Sequence, residues 1–146
     1  MRLHDPDREI RLAIVGVGNC ACSLVQGIAH YSNGGANEQI GLMHWNLGGY
    51  RPNDIRVVAA WDIDRRKVGR DIAEAIFAPP NCTTVFHEEM PASGMTVRMG
   101  KVLDGVADHM ADFDDDRTFL PADQPEPDQD EVVRVLRDTR ADVLIN

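Results

Sequence analysis

The chain has 146 residues, 43% of them hydrophobic and 27% charged, with a formal charge of -9 at pH 7. That length supports roughly one domain with its own core. The acidic balance excludes a broad nucleic-acid surface, which needs clustered Lys and Arg.

No stretch approaches the roughly 18 to 20 apolar residues of a membrane span. Residues 1–10 are charged where a signal peptide needs an apolar core, so the expected location is cytoplasmic. In chain order, residues 11–17 hold Leu12, Ala13, Ile14 and Val15, apolar on both faces as a central parallel strand requires. The run passes into Gly16, Val17, Gly18, Asn19, Cys20 and Ala21, and then into Leu24, Val25 and Ile28, whose spacing fits one apolar helix face. Strand, glycine turn and helix in that order make GxGxxA a dinucleotide-binding signature. Gly16 permits the tight turn, Gly18 lets a pyrophosphate approach the backbone, and Ala21 allows the helix to pack closely. A helix beginning near Asn19 presents unpaired N–H groups and a positive dipole end to the phosphates.

Residues 32–54 are rich in Gly and Asn and carry no sustained period; they read as an ordered loop insertion in which Met43, Trp45 and Leu47 are expected to pack. Residues 55–61 repeat the buried-strand pattern and end at Asp62. Asp64 is expected to cap a helix in which Val68, Ile72 and Ile76 recur every four residues, ending near Pro79 and Pro80. Short strands at 83–86 and 96–98 and a helix over 102–110 follow. Residues 112–130 bring eight Asp or Glu with Pro121, Pro125 and Pro127, the composition of a solvated connector. Val132, Val133, Val135 and Leu136 then predict an amphipathic helix, and residues 142–146 a final apolar strand. No internal repeat is visible.

This order predicts an α/β fold: a Rossmann-like doubly wound parallel sheet, with residues 1–146 forming an NAD-binding portion. In such sheets the ligand crevice lies outside the carboxyl ends of the strands. A chain that stops at a strand's carboxyl end is therefore expected to be truncated, with the sheet incomplete on its C-terminal side.

The acid that binds the adenosine ribose usually lies about 20 residues after the glycines. Nothing suitable stands there, but the insertion displaces the second strand, and Asp62 occupies that strand's end. A carboxylate there accepts hydrogen bonds from ribose hydroxyls and repels a 2′-phosphate, which favours NAD over NADP; Arg65 and Arg66 weigh slightly the other way. The plainer alternative for Asp62 is a solvated strand-end acid. Cys20, Cys22 and Cys82 read as reduced thiols, the first two as small packing residues. The CxC spacing has no second cluster to complete a metal site, so no metal is expected. The five histidines are scattered and none is nominated as catalytic; His44, in the insertion, is the one with any claim to a site.

The blocks AIVGVGNCACSLVQGI (13–28), GLMH (41–44), VVAAWDIDRRKVG (57–69), AIFAPPNCT (75–83) and LDG (103–105), in this order, resemble the actinobacterial inositol-3-phosphate synthase (myo-inositol-1-phosphate synthase) family. The resemblance runs over about residues 11–146 and includes the insertion. It implies an NAD-dependent isomerase of inositol and phospholipid biosynthesis, a homotetramer that converts glucose 6-phosphate to 1D-myo-inositol 3-phosphate. C5 is oxidised, the ketone acidifies C6, an intramolecular aldol step closes the ring, and hydride returns from the cofactor.

The resemblance places cofactor contacts at Gly16, Gly18, Asn19, Cys20, Ala21 and Asp62, with Ile63 beside the adenosine. In the family, the lysines and polar groups that handle the sugar phosphate lie after the strand at which this chain stops. Catalytic residues are therefore unknown, and the chain alone is expected to bind NAD without turnover. Two departures stand out. Trp61 replaces a frequent Phe, and Met99 precedes Gly100 where an Arg is usual, which puts in doubt any anionic contact or ion pair the family makes there. The competing readings are a naturally short NAD-binding or regulatory module that associates with a full-length synthase, and another Rossmann dehydrogenase or reductase.

Overall fold

The computed structural model describes residues 8–33 and 40–146. Strand β1 (Ile10–Val15) buries Leu12, Ala13 and Ile14 in succession, so both of its faces are covered. Helix α1 (Asn19–Asn33) follows the glycine turn, and a 3-10 turn at Pro52–Asp54 leads into β2 (Ile55–Asp62). A single helical turn α2 (Ile72–Ala75), a two-residue strand β3 (Arg98–Met99), helix α3 (Gln129–Asp138) and β4 (Val143–Ile145) complete the order.

The strands lie in the order β3-β2-β1-β4 and every pairing is parallel. A register shift after Leu12 pairs Ala13 with Ala59 and leaves Val58 as the extra residue of a bulge. Leu12, Ile14 and Ala60 face Ala21, Val25, Ile72 and Ile76 of α1 and the α2 region. Ala13, Ala59 and Trp61 face Val135, Val132 and Leu136 of α3. Helices thus cover both faces of a parallel sheet whose order reverses beside β1, a Rossmann-like doubly wound arrangement as the sequence predicts.

Several elements depart from expectation. The inward face of α1 is Ala21, Cys22, Val25 and Gln26, whereas Leu24 and Ile28 are half-buried. Gln26 sits in the core because its amide is satisfied there: its oxygen accepts from the N–H groups of Phe86 (2.9 Å) and His87 (3.1 Å), and Nε2 donates to the Thr84 carbonyl (3.3 Å). Those bonds hold residues 84–87 without a strand, so the expected strand at 83–86 is absent, and the one expected at 96–98 reduces to β3. The expected helix over 102–110 is a 3-10 turn at Asp108–Asp112.

In the insertion, Leu47 and Tyr50 pair across a two-residue turn at Gly48 and Gly49, whose φ values of +61° and +97° suit glycine. Trp45 rests half-buried, edge-on to Tyr31 at 6.4 Å. Met43 and Leu47 do not pack; they are 92% and 71% exposed. The rest of the insertion, residues 34–39, and the charged start at 1–7 lie outside the described residues.

Asp64 does not cap a long helix. Its carbonyl accepts from Lys67 and Val68 to form one turn, Gly69 (φ +86°) redirects the chain, and Asp71 caps α2 through the N–H of Ala73 (2.9 Å). Val68, Ile72 and Ile76 are all buried as their spacing predicts, but across a turn and a helical turn.

The Asp64 carboxylate is fully buried and pairs with the Arg66 guanidinium (2.6 Å). It also accepts from the N–H of Leu120 (2.9 Å), while Arg66 donates to the carbonyls of Thr118 (2.7 Å) and Asp115. Backbone bonds from Arg65 to Leu120 and from Ala122 to Ile63 complete a clasp. The acidic connector is therefore strapped to the turn after β2 rather than solvated throughout.

Burial pushes the Asp64 carboxyl up, but the Arg66 guanidinium and the N–H groups of Leu120 and Arg66 outweigh it and hold the group below the ordinary 3.8. At Asp71 burial likewise acts upward, and the N–H of Ala73 with the Ser93 hydroxyl and the N–H groups of Ser93 and Gly94 prevail downward. Both acids thus contribute stability above the ordinary carboxylate range, and that stability is lost as pH falls through their lowered values. Urea unfolding at neutral pH is expected to show a loss of about 1 kcal/mol for Asp71→Ala, a lost cap. For Asp64→Ala, which strands Arg66, the expected loss is about 3 kcal/mol. Below about pH 4 each variant should depend on pH less steeply than the parent chain.

Candidate functional site

At the carboxyl end of β1 the chain turns sharply. Gly16 adopts φ +89°, which favours glycine, and its N–H donates to the Trp61 carbonyl at 2.9 Å. The two peptide groups that flank Val17 are each held. The Val17 N–H donates to Oδ2 of Asp62 (2.7 Å), and the Val17 carbonyl accepts from Nζ of Lys67 (2.6 Å). Helix α1 starts immediately after, its first turn closed by the Cys22 N–H on the Gly18 carbonyl (2.9 Å). The N–H groups of Asn19, Cys20 and Ala21 therefore have no acceptor within the helix, and the first turn contains no acid to compete for them.

A Cβ built on Gly18 meets no atom within 4 Å. The space before the helix start is open, as close approach of a phosphate to the backbone requires. Two hollows flank it. One, of about 230 Å³, lies between Gly16, Asp62, Ile63, Lys101, Gly105 and Asn146, at the carboxyl ends of the strands. The other, of about 470 Å³, is bounded by Gly18, Asn19, Cys82 and Arg117. Phe119 borders both. A larger hollow of about 640 Å³ opens near the starts of β1 and β2, between Arg11, Arg56 and Arg98. Glu9 already engages Arg11 (2.7 Å) and Arg56 (3.6 Å), and ligands of doubly wound sheets bind at the opposite ends of the strands.

Gly16, Asp62 and Ile63 line one hollow together, and Gly18 with Asn19 of the first turn of α1 lines the neighbouring one. Asp62 is buried, 7% exposed, and its second oxygen accepts from the Asp64 N–H (2.8 Å). Each oxygen keeps a further lone pair, but the carboxylate is a structural tie and not a solvated strand-end acid.

Ala21 is buried against the sheet as expected. Asn19 is committed elsewhere: its amide oxygen accepts from the Cys82 N–H (2.9 Å), its Nδ2 points to Cys82 Sγ (3.2 Å), and its carbonyl accepts from the Thr83 hydroxyl (3.0 Å). Asn19 fastens residues 82–83 across the helix start. Of the two cysteines, Cys22 is a packing residue, whereas Cys20 is exposed on the first turn. His44 is exposed in the insertion and is not among the residues that line the two hollows. Arg66, being spent on Asp64 and the connector, is not a free cation beside the ribose position; Arg65 is exposed. Met99 is buried at the end of β3.

Lys67 is the residue that sequence reasoning missed. Its side chain is wholly buried, yet it stands in the run Arg65-Arg66-Lys67, where composition points to solvent. Burial lowers its affinity for a proton, and the carboxylates of Asp62 and Asp64 partly restore it. Among the described residues no group of three or more His, Cys, Asp or Glu is placed to hold a metal ion, and no helix is long and apolar enough to cross a membrane.

No protein-family model matches the chain. The inositol-3-phosphate synthase of Corynebacterium glutamicum is 44% identical over 138 residues, covering 94% of this chain and 36% of its own length. That of Mycolicibacterium smegmatis is 43% identical over 139 residues, with the same coverage. Among solved structures, that of Ari2 superposes with a TM-score of 0.70 at 29% identity, covering 93% of this chain and 36% of Ari2. A myo-inositol-1-phosphate synthase-related protein from Thermotoga maritima gives a TM-score of 0.61 at 18% identity and bears on the fold alone. The chain spans about a third of the length of the curated relatives it matches. Over nearly all of its residues, then, the chain is similar to about a third of these two inositol-3-phosphate synthases.

Proposed function

We propose that this chain is the NAD-binding portion of an inositol-3-phosphate synthase. The observation that carries the reading is the open approach to Gly18 beside a helix start whose first N–H groups lack acceptors, with Asp62 behind the turn. A pyrophosphate fits such a place, since backbone donors and the helix dipole both favour an anion there. Gly16, Gly18 and the N–H groups of Asn19, Cys20 and Ala21 would hold the pyrophosphate. Asp62 would meet the adenosine ribose, and Ile63 would supply an apolar wall. With Arg66 engaged by Asp64, a 2′-phosphate finds no guanidinium from that residue, which favours NAD over NADP.

NAD supplies the hydride acceptor and donor for conversion of glucose 6-phosphate to 1D-myo-inositol 3-phosphate. The residues of this chain bind and orient the cofactor. The groups that hold the sugar phosphate and stabilise enolate charge belong to sequence beyond these residues, and the complete enzyme is a homo-oligomer. By this reading the chain alone binds NAD and does not turn over.

Calorimetric titration with NAD, run beside an assay for inositol phosphate from glucose 6-phosphate, is the test. Binding without turnover is expected. Gly18→Val should abolish binding by filling the phosphate space, and Asp62→Ala should weaken it about tenfold or more by releasing the Val17 N–H as well as the ribose. Unchanged affinity in both variants would sink the assignment. Turnover by this chain alone would put catalytic groups within these residues.

A further inference from the structure

Lys67 has no part in the reading above, although it is the largest wholly buried side chain described and one of only two lysines in the sequence. Its ammonium donates to the Val17 carbonyl at 2.6 Å and reaches the Pro80 carbonyl at 3.4 Å. It therefore links the glycine turn to the segment that Asn19 fastens across the start of α1. We propose that Lys67 is the positioning residue of the phosphate-binding turn: together with Asp62 it fixes the peptide planes on either side of Val17, and its buried charge favours an anion at the helix start. This rests on the cofactor reading and deepens it.

A buried ammonium is costly unless it is hydrogen-bonded and has charge nearby. Val17 lies between Gly16 and Gly18, so a change in its carbonyl's partner rotates the peptide that leads directly into Gly18. Asp62 holds the N–H of the same residue, and neither bond alone sets both planes. A side chain placed only to fill space there would be apolar; this one directs a full positive charge at the turn where the anion is expected.

The groups facing Lys67 set its titration. They are Asp62 at the end of β2, Asp64 and Arg66 on the following turn, and Cys22 on α1. Burial lowers its pKa from the ordinary 10.5, so in the folded chain it loses its proton earlier than an exposed lysine. Across that interval the unfolded chain binds more protons, and this group's contribution to fold stability rises with pH. Affinity for an anionic cofactor should fall over the same interval, because the ammonium that favours the anion is being neutralised. A purely structural lysine would show no such opposition.

The test is nitrogen NMR of the chain labelled with 15N at lysine Nζ, titrated with alkali with and without saturating NAD. Only Lys67 and Lys101 report, and Lys101→Arg assigns them. Lys67 is expected to titrate below the ordinary 10.5 in the free chain and to shift upward on NAD binding. Calorimetry should find NAD affinity reduced about tenfold in Lys67→Met, without a lower Tm, and partly restored in Lys67→Arg. If Lys67→Met does not fold, the resonances of the parent chain decide alone. A Lys67 signal indifferent to bound NAD overturns this proposal and leaves the cofactor reading standing. Absence of any NAD binding by the parent chain overturns both.

Discussion

The Asp62 carboxylate and the peptide groups around it join three separate segments, the turn after β1, the end of β2 with the turn that follows it, and the chain just past β3. One oxygen accepts from Val17 in the turn after β1, the other from Asp64 in the turn after β2. The Asp62 carbonyl accepts from Gly100 just past β3 (2.9 Å), and the neighbouring Trp61 carbonyl accepts from Gly16. A strand end fixed in this way cannot be slid by one residue without stranding a buried carboxylate, at a cost of the order of 1–3 kcal/mol or more for each charged hydrogen bond lost. Lys67 completes the set from the other side of Val17, so an acid and a base, both buried, hold one turn in place. The crevice at the carboxyl ends of the strands keeps its shape because these bonds do not depend on solvent-exposed side chains.

The acidic connector takes its place from the same turn. Asp64 and Arg66 form a buried pair whose remaining donors and acceptors go to backbone groups of residues 115–120, which brings Phe119 to the border between the two hollows. Gly105 is required for a related reason. A Cβ there would stand 2.9 Å from the Val102 carbonyl and 3.3 Å from Cδ1 of Ile63, so only a glycine lets residues 102–105 lie against the wall of the crevice. Two short blocks far apart in sequence, around Ile63 and around Gly105, are thereby parts of one surface.

The sequence made β1, β2, the glycine turn and the acid at the end of β2 legible because each rests on a strong local rule: a run apolar on both faces, a glycine spacing tied to backbone geometry, an acid at a strand end. Asp62 was found by topology where fixed spacing failed. The elements that went astray are those whose conformation is decided by distant partners. Residues 64–78 carry helical spacing, but Gly69 and the clasp to Leu120 interrupt the helix; residues 83–86 carry strand composition, but Gln26 takes their N–H groups. Lys67 was hidden for the opposite reason. In a run of three cations, composition points to solvent, and only the fold shows that Arg65 is exposed, Arg66 is half-buried and Lys67 is enclosed. The exposure of Met43 and Leu47 was equally invisible, since apolar character in a loop does not tell which surface it meets.

The chain carries 24 acids against 15 Lys and Arg, so its overall field repels an anionic ligand. Attraction has to be local, within the roughly 8–10 Å over which charges act at ordinary ionic strength. The crevice meets that need with groups the bulk charge does not reveal: uncommitted N–H groups of a helix start with no acid in its first turn, a buried lysine behind the turn, and Lys101 and Arg117 on the walls of the hollows. Of the acids beside the turn, Asp62 accepts from two backbone N–H groups and Asp64 is paired with Arg66. The acidic composition therefore does not by itself argue against a phosphate ester at the helix start. The same separation of local from global charge explains why composition argues against a broad nucleic-acid surface and yet says nothing against a dinucleotide.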